Sequence, residues 1–108
     1  MKKIEVFNDY ALGELRKLNN TQEFSNPLLV SPKAKGKIMY IGQETNGWFE
    51  SLKDSNYSAR ELEDFYVRYF LNGRVRNTLF WRFIKDVVEN DDLASSVVWT
   101  NALIVGKD

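Results

Sequence analysis

Residues 37–48 have the sequence KIMYIGQETNGW, in which an apolar run ends at a glycine and a polar segment follows. The run at 38–41 is apolar at both alternating positions, which is typical of a strand buried on both faces of a parallel sheet. The polar side chains of residues 43–46 come directly after Gly42. In open α/β sheets, ligands bind just beyond the carboxyl ends of the strands. The segment therefore indicates a binding site after a buried strand, and a plain polar turn is the alternative.

Composition restricts the classes of protein to which the chain can belong. Its 108 residues are 44% hydrophobic and 14% aromatic, which suits one folded domain with an apolar core. The 15 basic and 15 acidic residues cancel, so net charge does not draw the protein to nucleic acid or membrane. The chain has no cysteine, which excludes disulfides and thiolate chemistry. It has no histidine, which removes the usual general base near neutral pH and the commonest metal ligand.

Targeting signals are also missing from the sequence. No apolar run approaches the roughly 18 residues that a membrane-spanning helix needs. The start MKKIEVFNDY lacks the long apolar core of a signal peptide. We therefore expect a soluble, cytoplasmic protein with no membrane partner, and no residue pattern predicts a cofactor or a metal.

Apolar spacing predicts three helices. The first covers residues 4–18, with a start that Asn8 or Asp9 can cap. The second follows a capping box in which Ser58 and Glu61 bind each other's backbone. The third covers residues 77–89. In the loop between the first helix and the first strand, Leu28, Leu29 and Val30 are expected to pin the chain to the core. The side chains expected to face the core are Ile4, Phe7, Ala11, Leu15 and Leu18 in the first helix, Leu62, Phe65, Tyr66, Tyr69 and Phe70 in the second, and Phe80, Phe83 or Ile84, Val87 and Val88 in the third, with Leu79 and Trp81 broadening that stripe.

Two groups of basic residues are potential contacts for an anion. Lys33, Lys35 and Lys37 precede the first strand and are expected beside the candidate site, where they can contact phosphates or form a solvated loop. Four arginines on or between the second and third helices can form a basic rim, which favours an anionic partner only weakly. They are Arg68, Arg74, Arg76 and Arg82.

A second apolar strand is predicted over residues 97–105, and it contains one asparagine, Asn101. Helices separate it from the first strand, and such a crossover places two strands parallel and adjacent. A buried amide needs hydrogen-bond partners. We expect the Asn101 side chain to point toward the loop at 43–46, where it either waits for a ligand or ties the loop to the strand.

Two segments resemble motifs of the uracil-DNA glycosylase superfamily. The sequence GQET at 42–45 resembles the G-Q-D-P in which a strand of that family ends, and NALIV at 101–105 resembles its base-reading strand, L-N-A-V-L-T-V. The motifs occur in the family's order, and the resemblance covers residues 37–106. It implies an α/β fold with a parallel sheet core flanked by helices, as a truncated version of the family's three-layer fold. Residues 1–108 would then form a single, incomplete domain.

The resemblance also implies roles for individual residues. Glu44 would be the catalytic acidic residue that positions water and stabilises the cationic sugar. Gln43 would lie in the loop that holds the uracil carbonyl, and Asn101 would bind the edge of the flipped base. Thr45 and Asn46 would complete the substrate-binding loop. The implied partner is DNA or a free nucleobase.

Departures from the family pattern affect the chemistry. Glu44 is one methylene longer than the family's aspartate, and Thr45, Asn46 and Gly47 replace its proline, tyrosine and histidine. The family's later histidine motif has no counterpart. Two hypotheses therefore stand. The first is a glycosylase-like protein that is inactive or incomplete as this chain. The second is a non-catalytic α/β module that binds a partner or forms a homo-oligomer through an exposed strand edge or aromatic surface.

Overall fold

The two predicted strands lie side by side in a parallel sheet. The computed structural model describes residues 2–18, 24–43, 48–72, 75, 78–88, 93–101 and 104–106. Ile38–Gly42 forms β1 and Val97–Asn101 forms β2, in a parallel register that pairs Ile38 with Val97 and Gly42 with Asn101. This confirms both strands and their direction. β2 ends earlier than the predicted range of 97–105, since Ile104 lies in a bend and residues 102–103 lie outside the described part of the chain.

Helices precede, connect and flank the strands, which makes the protein a mixed α/β structure. The connection from β1 to β2 contains three of them, as a parallel pair requires. Within the described residues the helices are α1, Lys2–Arg16; α2, Ala59–Tyr66, which continues as a π-helical segment, Val67–Leu71; α3, Leu79–Val88; and α4, Leu93–Ser96. The sequence pattern did not predict α4 or the π-helical segment. The ends predicted for the third helix, 77 and 89, lie outside the described residues.

The start of α2 is the predicted capping box. The Glu61 amide donates to the Ser58 hydroxyl at 3.1 Å, and the Ser58 amide donates to the Glu61 carboxylate at 3.0 Å. The side chains of Leu62, Phe65 and Tyr66 are buried, as their spacing predicts. Because the cap needs only residues three apart, its formation follows from local sequence.

The face that α1 buries differs from the prediction. The helix begins at Lys2, so Asn8 and Asp9 lie inside it and do not cap it. Leu12 and the polar Asn8 are buried, whereas Phe7 is 59% exposed. The Asn8 amide donates to the Val30 carbonyl oxygen at 2.9 Å and to a Glu63 carboxylate oxygen at 2.7 Å. These two bonds hold the asparagine face inward, which turns Phe7 outward.

The core consists of two adjoining clusters. The larger joins α2, the π-helical segment and α3 to the inner face of β2, and the smaller joins α1 to α2 and the segment before β1. Leu28 and Leu29 each contribute to one cluster and are 1% exposed, which confirms that this loop is anchored in the core. The buried members of the larger cluster are Leu28, Tyr66, Phe70, Trp81, Ile84, Val88, Val97 and Trp99, and those of the smaller are Leu12, Leu29, Leu52, Ala59, Leu62 and Phe65.

The prediction that β1 is buried on both faces is wrong. Ile38 is 41% exposed, Met39 63% and Ile41 56%. Helix α3 covers the face that carries Tyr40, whose ring centroid lies 4.5 Å from that of Phe80. The opposite face, which carries Met39 and Ile41, is left open. A parallel sheet buries both faces only when helices lie on both sides of it, and the strand's own composition does not supply them.

Helix α3 also leaves apolar side chains in solvent. Trp81, Ile84 and Val88 are buried. Val88 is predicted to face the core, Ile84 is one of two alternatives for a core position, and Trp81 is expected to broaden the core stripe. Leu79, Phe83 and Val87 had been assigned to the core stripe or its margin, yet they are 76%, 60% and 53% exposed. They recur at four-residue steps and form a second apolar stripe. The helix therefore has apolar side chains on two sides, and neighbouring elements cover only one of them.

Candidate functional site

Both strands end at the same level of the sheet, and their last residues form the centre of the candidate site. Gly42 and Asn101 are paired in the parallel register. Residues paired in this way direct their side chains to the same face, so the Asn101 amide projects over Gly42. This is the carboxyl end of the sheet, where α/β proteins bind ligands.

Asn101 is packed tightly against Gly42. Its side chain is buried, with 8% of the residue exposed. A Cβ atom added at Gly42 would collide with the Asn101 carboxamide oxygen, and would also lie 3.1 Å from two ring atoms of Phe80. Only glycine therefore allows the asparagine and the ring to meet at the end of β1. The strand-terminal glycine is a sequence signal for this close approach.

The Asn101 amide has no hydrogen-bond partner within the described part of the chain. No donor or acceptor among the described residues forms a hydrogen bond with this side chain. A side-chain amide offers one acceptor oxygen and two donor hydrogens. A carboxamide at the end of a strand can bind a planar polar ligand that presents both a donor and an acceptor along one edge.

Phe80 is the aromatic neighbour of this amide, and contacts with β1 hold its ring in place. The Tyr40 hydroxyl donates to the Phe80 carbonyl oxygen at 2.6 Å, and the two rings lie 4.5 Å apart, tilted by 33°. Burial raises the pKa of the Tyr40 hydroxyl. The sequence pattern placed Phe80 in the core. Its position beside Asn101 depends on the crossover that brings the first turn of α3 to the carboxyl end of β1, and no local signal marks it.

Of the remaining predicted site residues, the structure describes only one. Gln43 follows β1 directly and is exposed. Glu44, Thr45 and Asn46 lie outside the described residues, so their predicted roles stay predictions. Glu44 is two residues beyond Gly42, which limits its Cα atom to within about 7 Å of that glycine.

The segment that follows the loop at 43–46 is anchored by hydrogen bonds from a buried asparagine, Asn26, which the sequence pattern did not identify. The Asn26 amide donates to the Phe49 and Glu50 carbonyl oxygens and, at 2.8 Å, to the Ser55 hydroxyl. Phe49 and Glu50 have positive φ angles, 46° and 68°. Such angles are strained for residues with a Cβ, and they persist where surrounding contacts impose them. Asn26 supplies those contacts next to residues 44–47.

The lysines lie at the other end of the sheet from Asn101. Gly36, between Lys35 and Lys37, has a φ of 152° and packs against the backbone of Ser96 and Val97, where β2 begins. Four residue steps along β2 separate Val97 from Asn101, which is roughly 13 Å at about 3.3 Å per residue. The prediction that these lysines lie beside the candidate site is therefore wrong. Lys33 and Lys35 line a separate open cavity of about 380 Å³, together with Asn72 and Ser95.

Two of the described arginines, Arg60 and Arg68, contact acidic residues or an aromatic ring. Arg68 is exposed and its guanidinium lies 4.8 Å from the centre of the Phe65 ring. Arg82 is exposed on α3, while Arg74 and Arg76 lie outside the described residues. Arg60 is the arginine with the most charged contacts, since it pairs with Glu5 at 2.7 Å, Asp9 at 2.8 Å and Glu63 at 3.2 Å. This cluster ties α1 to α2.

Two kinds of feature are absent from the described part of the chain. Across the described ranges, no three histidine, cysteine, aspartate or glutamate residues lie close enough together to hold a metal ion. None of the described helices combines the length and the apolar character needed to cross a membrane.

Comparison with known proteins found no match. No family model matches the chain, and neither a curated protein nor a solved structure is significantly similar to it.

Proposed function

We propose that this chain is a nucleobase-binding protein of the uracil-DNA glycosylase type, with its site at the carboxyl ends of β1 and β2. The observation that carries the proposal is the pairing of Gly42 with Asn101, which places a buried amide without a described partner at the end of the first strand. Of the family's three-layer fold, a site of this kind requires the parallel pair formed by β1 and β2. The order of the two resembling segments supports it.

The chemistry of the site suits a pyrimidine. Uracil presents an N–H between two carbonyl groups, and one carboxamide can accept from that N–H while it donates to a neighbouring carbonyl. Enzymes that act on flipped bases combine such edge contacts with aromatic packing. Asn101 supplies the carboxamide and Phe80 supplies the ring at the same point of the sheet.

Glu44 is the proposed acidic residue of the site. Hydrolysis of an N-glycosidic bond develops positive charge on the sugar, and a nearby carboxylate stabilises it. Glu44 follows β1 by two residues, so chain length alone keeps it near Gly42. The chain contains no histidine to stabilise the departing base. We therefore assign it nucleobase binding, with hydrolysis slow or absent.

Titration with uracil, followed by amide chemical shifts, tests the proposal. We expect uracil to shift the resonances of Gly42 and Asn101, and we expect Asn101→Ala to abolish those shifts while the fold persists. Asn101→Asp keeps the shape but loses the amide donor, so it should also bind uracil poorly. Asn56→Ala is the matched control, because Asn56 is an exposed asparagine outside the site.

Two results would contradict the proposal. One is a wild-type protein whose spectrum does not change at millimolar uracil. The other is a clear loss of thermal stability in Asn101→Ala with no ligand effect in the parent, which would make the amide a structural link between strand and loop.

A further inference from the structure

The two outer edges of the sheet differ in the groups that they present. At β2, the Tyr66 hydroxyl donates to the Trp99 carbonyl oxygen at 2.6 Å and accepts from the Trp99 amide at 3.0 Å. The side chain thus occupies the position that a neighbouring strand would take. Within the described ranges, no strand pairs with the outer edge of β1. A new strand can therefore join the sheet at β1, while Tyr66 blocks the edge of β2.

The backbone groups that β1 offers follow from the ladder. Alternate residues of a strand direct their amide and carbonyl groups to the same side. The Trp99 amide and carbonyl groups point away from β1. The backbone groups of Val98 and Thr100 therefore point toward β1, where they pair with those of Ile38, Tyr40 and Gly42. The amide and carbonyl groups of the intervening residues, Met39 and Ile41, then point to the open edge.

Apolar side chains surround this edge on both faces. On one face, Met39 and Ile41 are exposed. On the other, the stripe formed by Leu79, Phe83 and Val87 extends from α3 past Tyr40, since the Phe83 and Tyr40 rings are stacked with centroids 6.4 Å apart. Exposed apolar groups beside an unpaired strand edge are the features of a strand-addition site.

We propose that β1 pairs with β1 of a second copy of this chain, antiparallel and across a two-fold axis at Tyr40. Met39 of each copy then lies opposite Ile41 of the other, and these are the residues whose backbone groups point outward. An antiparallel pair of this kind exchanges two hydrogen bonds, so the two pairs form four. The two parallel pairs become one four-stranded sheet.

The side chains are self-complementary in this register. Met39 and Ile41 form two apolar cross-strand pairs on the open face. Ile38 lies opposite Gly42, which has no side chain to obstruct it. Lys37 lies opposite Gln43, so no like charges meet along the paired strands. The α3 stripes of the two copies approach each other over the axis.

The exposed apolar area is sufficient for a stable dimer. Six side chains contribute, with exposures from 41% to 76%. At the sizes of large apolar side chains they present on the order of 600 Å² per copy. A standard interface takes about 800 Å² from each partner, of which about 57% is apolar. The six side chains that contribute this area are Ile38, Met39, Ile41, Leu79, Phe83 and Val87.

Light scattering coupled to size exclusion tests the oligomeric state. We expect the wild-type chain to elute with twice the chain mass and the double variant Met39→Lys/Ile41→Lys to elute as a folded monomer. Four lysines would meet at the axis, which should raise the dimer dissociation constant on the order of a hundredfold or more. The control is Val6→Lys/Tyr10→Lys, because both side chains are 67% exposed on α1 and lie away from β1.

Cross-linking tests the register itself, and it succeeds only if the strands pair as proposed. The chain has no cysteine, so introduced thiols are the only ones present. A mixture of Met39→Cys and Ile41→Cys chains should form a disulfide-linked heterodimer on mild oxidation, because paired Cα atoms lie about 5.5 Å apart, within disulfide range. Each variant alone should cross-link much less.

Three results would overturn the proposal. They are a wild-type chain that stays monomeric at millimolar concentration, a dimer that survives the lysine pair, and cross-linking of each single variant as efficient as that of the mixture. A monomer that instead captures a strand from another protein would assign the edge to a different partner. Uracil binding is tested separately through Asn101→Ala, so failure of the dimer and failure of the proposed site are distinguishable.

Discussion

The hydroxyl of Tyr66 lies 2.6 Å from the carbonyl oxygen of Trp99 and 3.0 Å from its amide nitrogen, so one side chain satisfies both backbone groups in the middle of β2. The two aromatic rings are also stacked, with centroids 5.7 Å apart. Tyr66 is fully buried. A helix side chain therefore replaces the strand that would otherwise extend the sheet on this side, whereas within the described ranges no strand is paired with the outer edge of β1.

Tyr66→Phe should destabilise the protein by about 1–3 kcal/mol, because it leaves a buried amide and a buried carbonyl without a partner. Urea unfolding followed by circular dichroism measures the change. Tyr10→Phe is the control, since the Tyr10 side chain is 67% exposed and its hydroxyl can bind water. Equal midpoints for the two variants would show that the Tyr66 hydroxyl contributes nothing to stability.

Alkaline pH should also weaken the fold through Tyr66. Burial raises the pKa of its hydroxyl, and the hydrogen bond to Trp99 offsets part of that rise. An unfolded tyrosine ionises near pH ~10, so above that pH the unfolded state releases a proton that the folded state retains. Stability should be fully present below about pH 10 and should fall as the pH rises further.

The same pH series on Tyr66→Phe separates this residue from the other tyrosines. Its free energy of unfolding should fall less steeply above about pH 10. A residual slope is expected, because burial also raises the pKa of Tyr40. Identical slopes in the parent and the variant would contradict the assignment to Tyr66.

Gly42→Ala should disturb the candidate site. The added methyl group collides with the Asn101 carboxamide oxygen and approaches the Phe80 ring, so we expect a loss of about 1–3 kcal/mol, as for other overpacked positions. Gly13→Ala is the matched control. It lies in α1, where an added Cβ meets none of the described atoms within 4 Å, and it should stabilise the helix by roughly 0.5–1 kcal/mol. Thermal melting of both variants gives the signs, and a stabilised Gly42→Ala would rule out the close contact.

Excision of uracil from DNA should be far slower than in a complete glycosylase. The chain has no histidine to stabilise the leaving base, and the loss of one preorganised donor typically lowers a rate on the order of a hundredfold or more. Release of uracil from single-stranded and duplex oligonucleotides measures this, with Glu44→Gln to show whether any slow release uses the proposed carboxylate. Rapid excision by the purified chain would disprove the prediction.

Local sequence was most informative where an element depends on residues close together in the chain. Ser58 and Glu61 predicted the start of α2, because their two hydrogen bonds involve only positions three apart. Leu28 and Leu29 were expected in the core, and they are 1% exposed. The aromatic face of α2 was likewise predicted as core, since its apolar spacing matches one helix turn after another.

The candidate site could be predicted only in part. The order of an apolar strand, a helical crossover and a second apolar strand predicted that Gly42 and Asn101 would end adjacent parallel strands. Phe80 was not assigned to that site, because its place over Gly42 depends on how α3 crosses the sheet. The prediction that Lys35 lies beside the site is wrong, because Lys35 lies at the opposite end of the sheet. A loop that precedes a strand lies near the strand's first residue, whereas the site is at the strand's carboxyl end.

The sequence by itself determined the two strands, their parallel order, the capped start of α2 and the presence of an asparagine in β2. These features depend on side-chain type and on spacings of a few residues. Tertiary structure decided that Asn8 faces inward while Phe7 does not, that Tyr66 closes one edge of the sheet, and that Met39 and Phe83 remain exposed. Burial is a property of what packs against a residue, so an apolar side chain shows a tendency to be covered, and only the arrangement of the neighbouring elements decides whether it is.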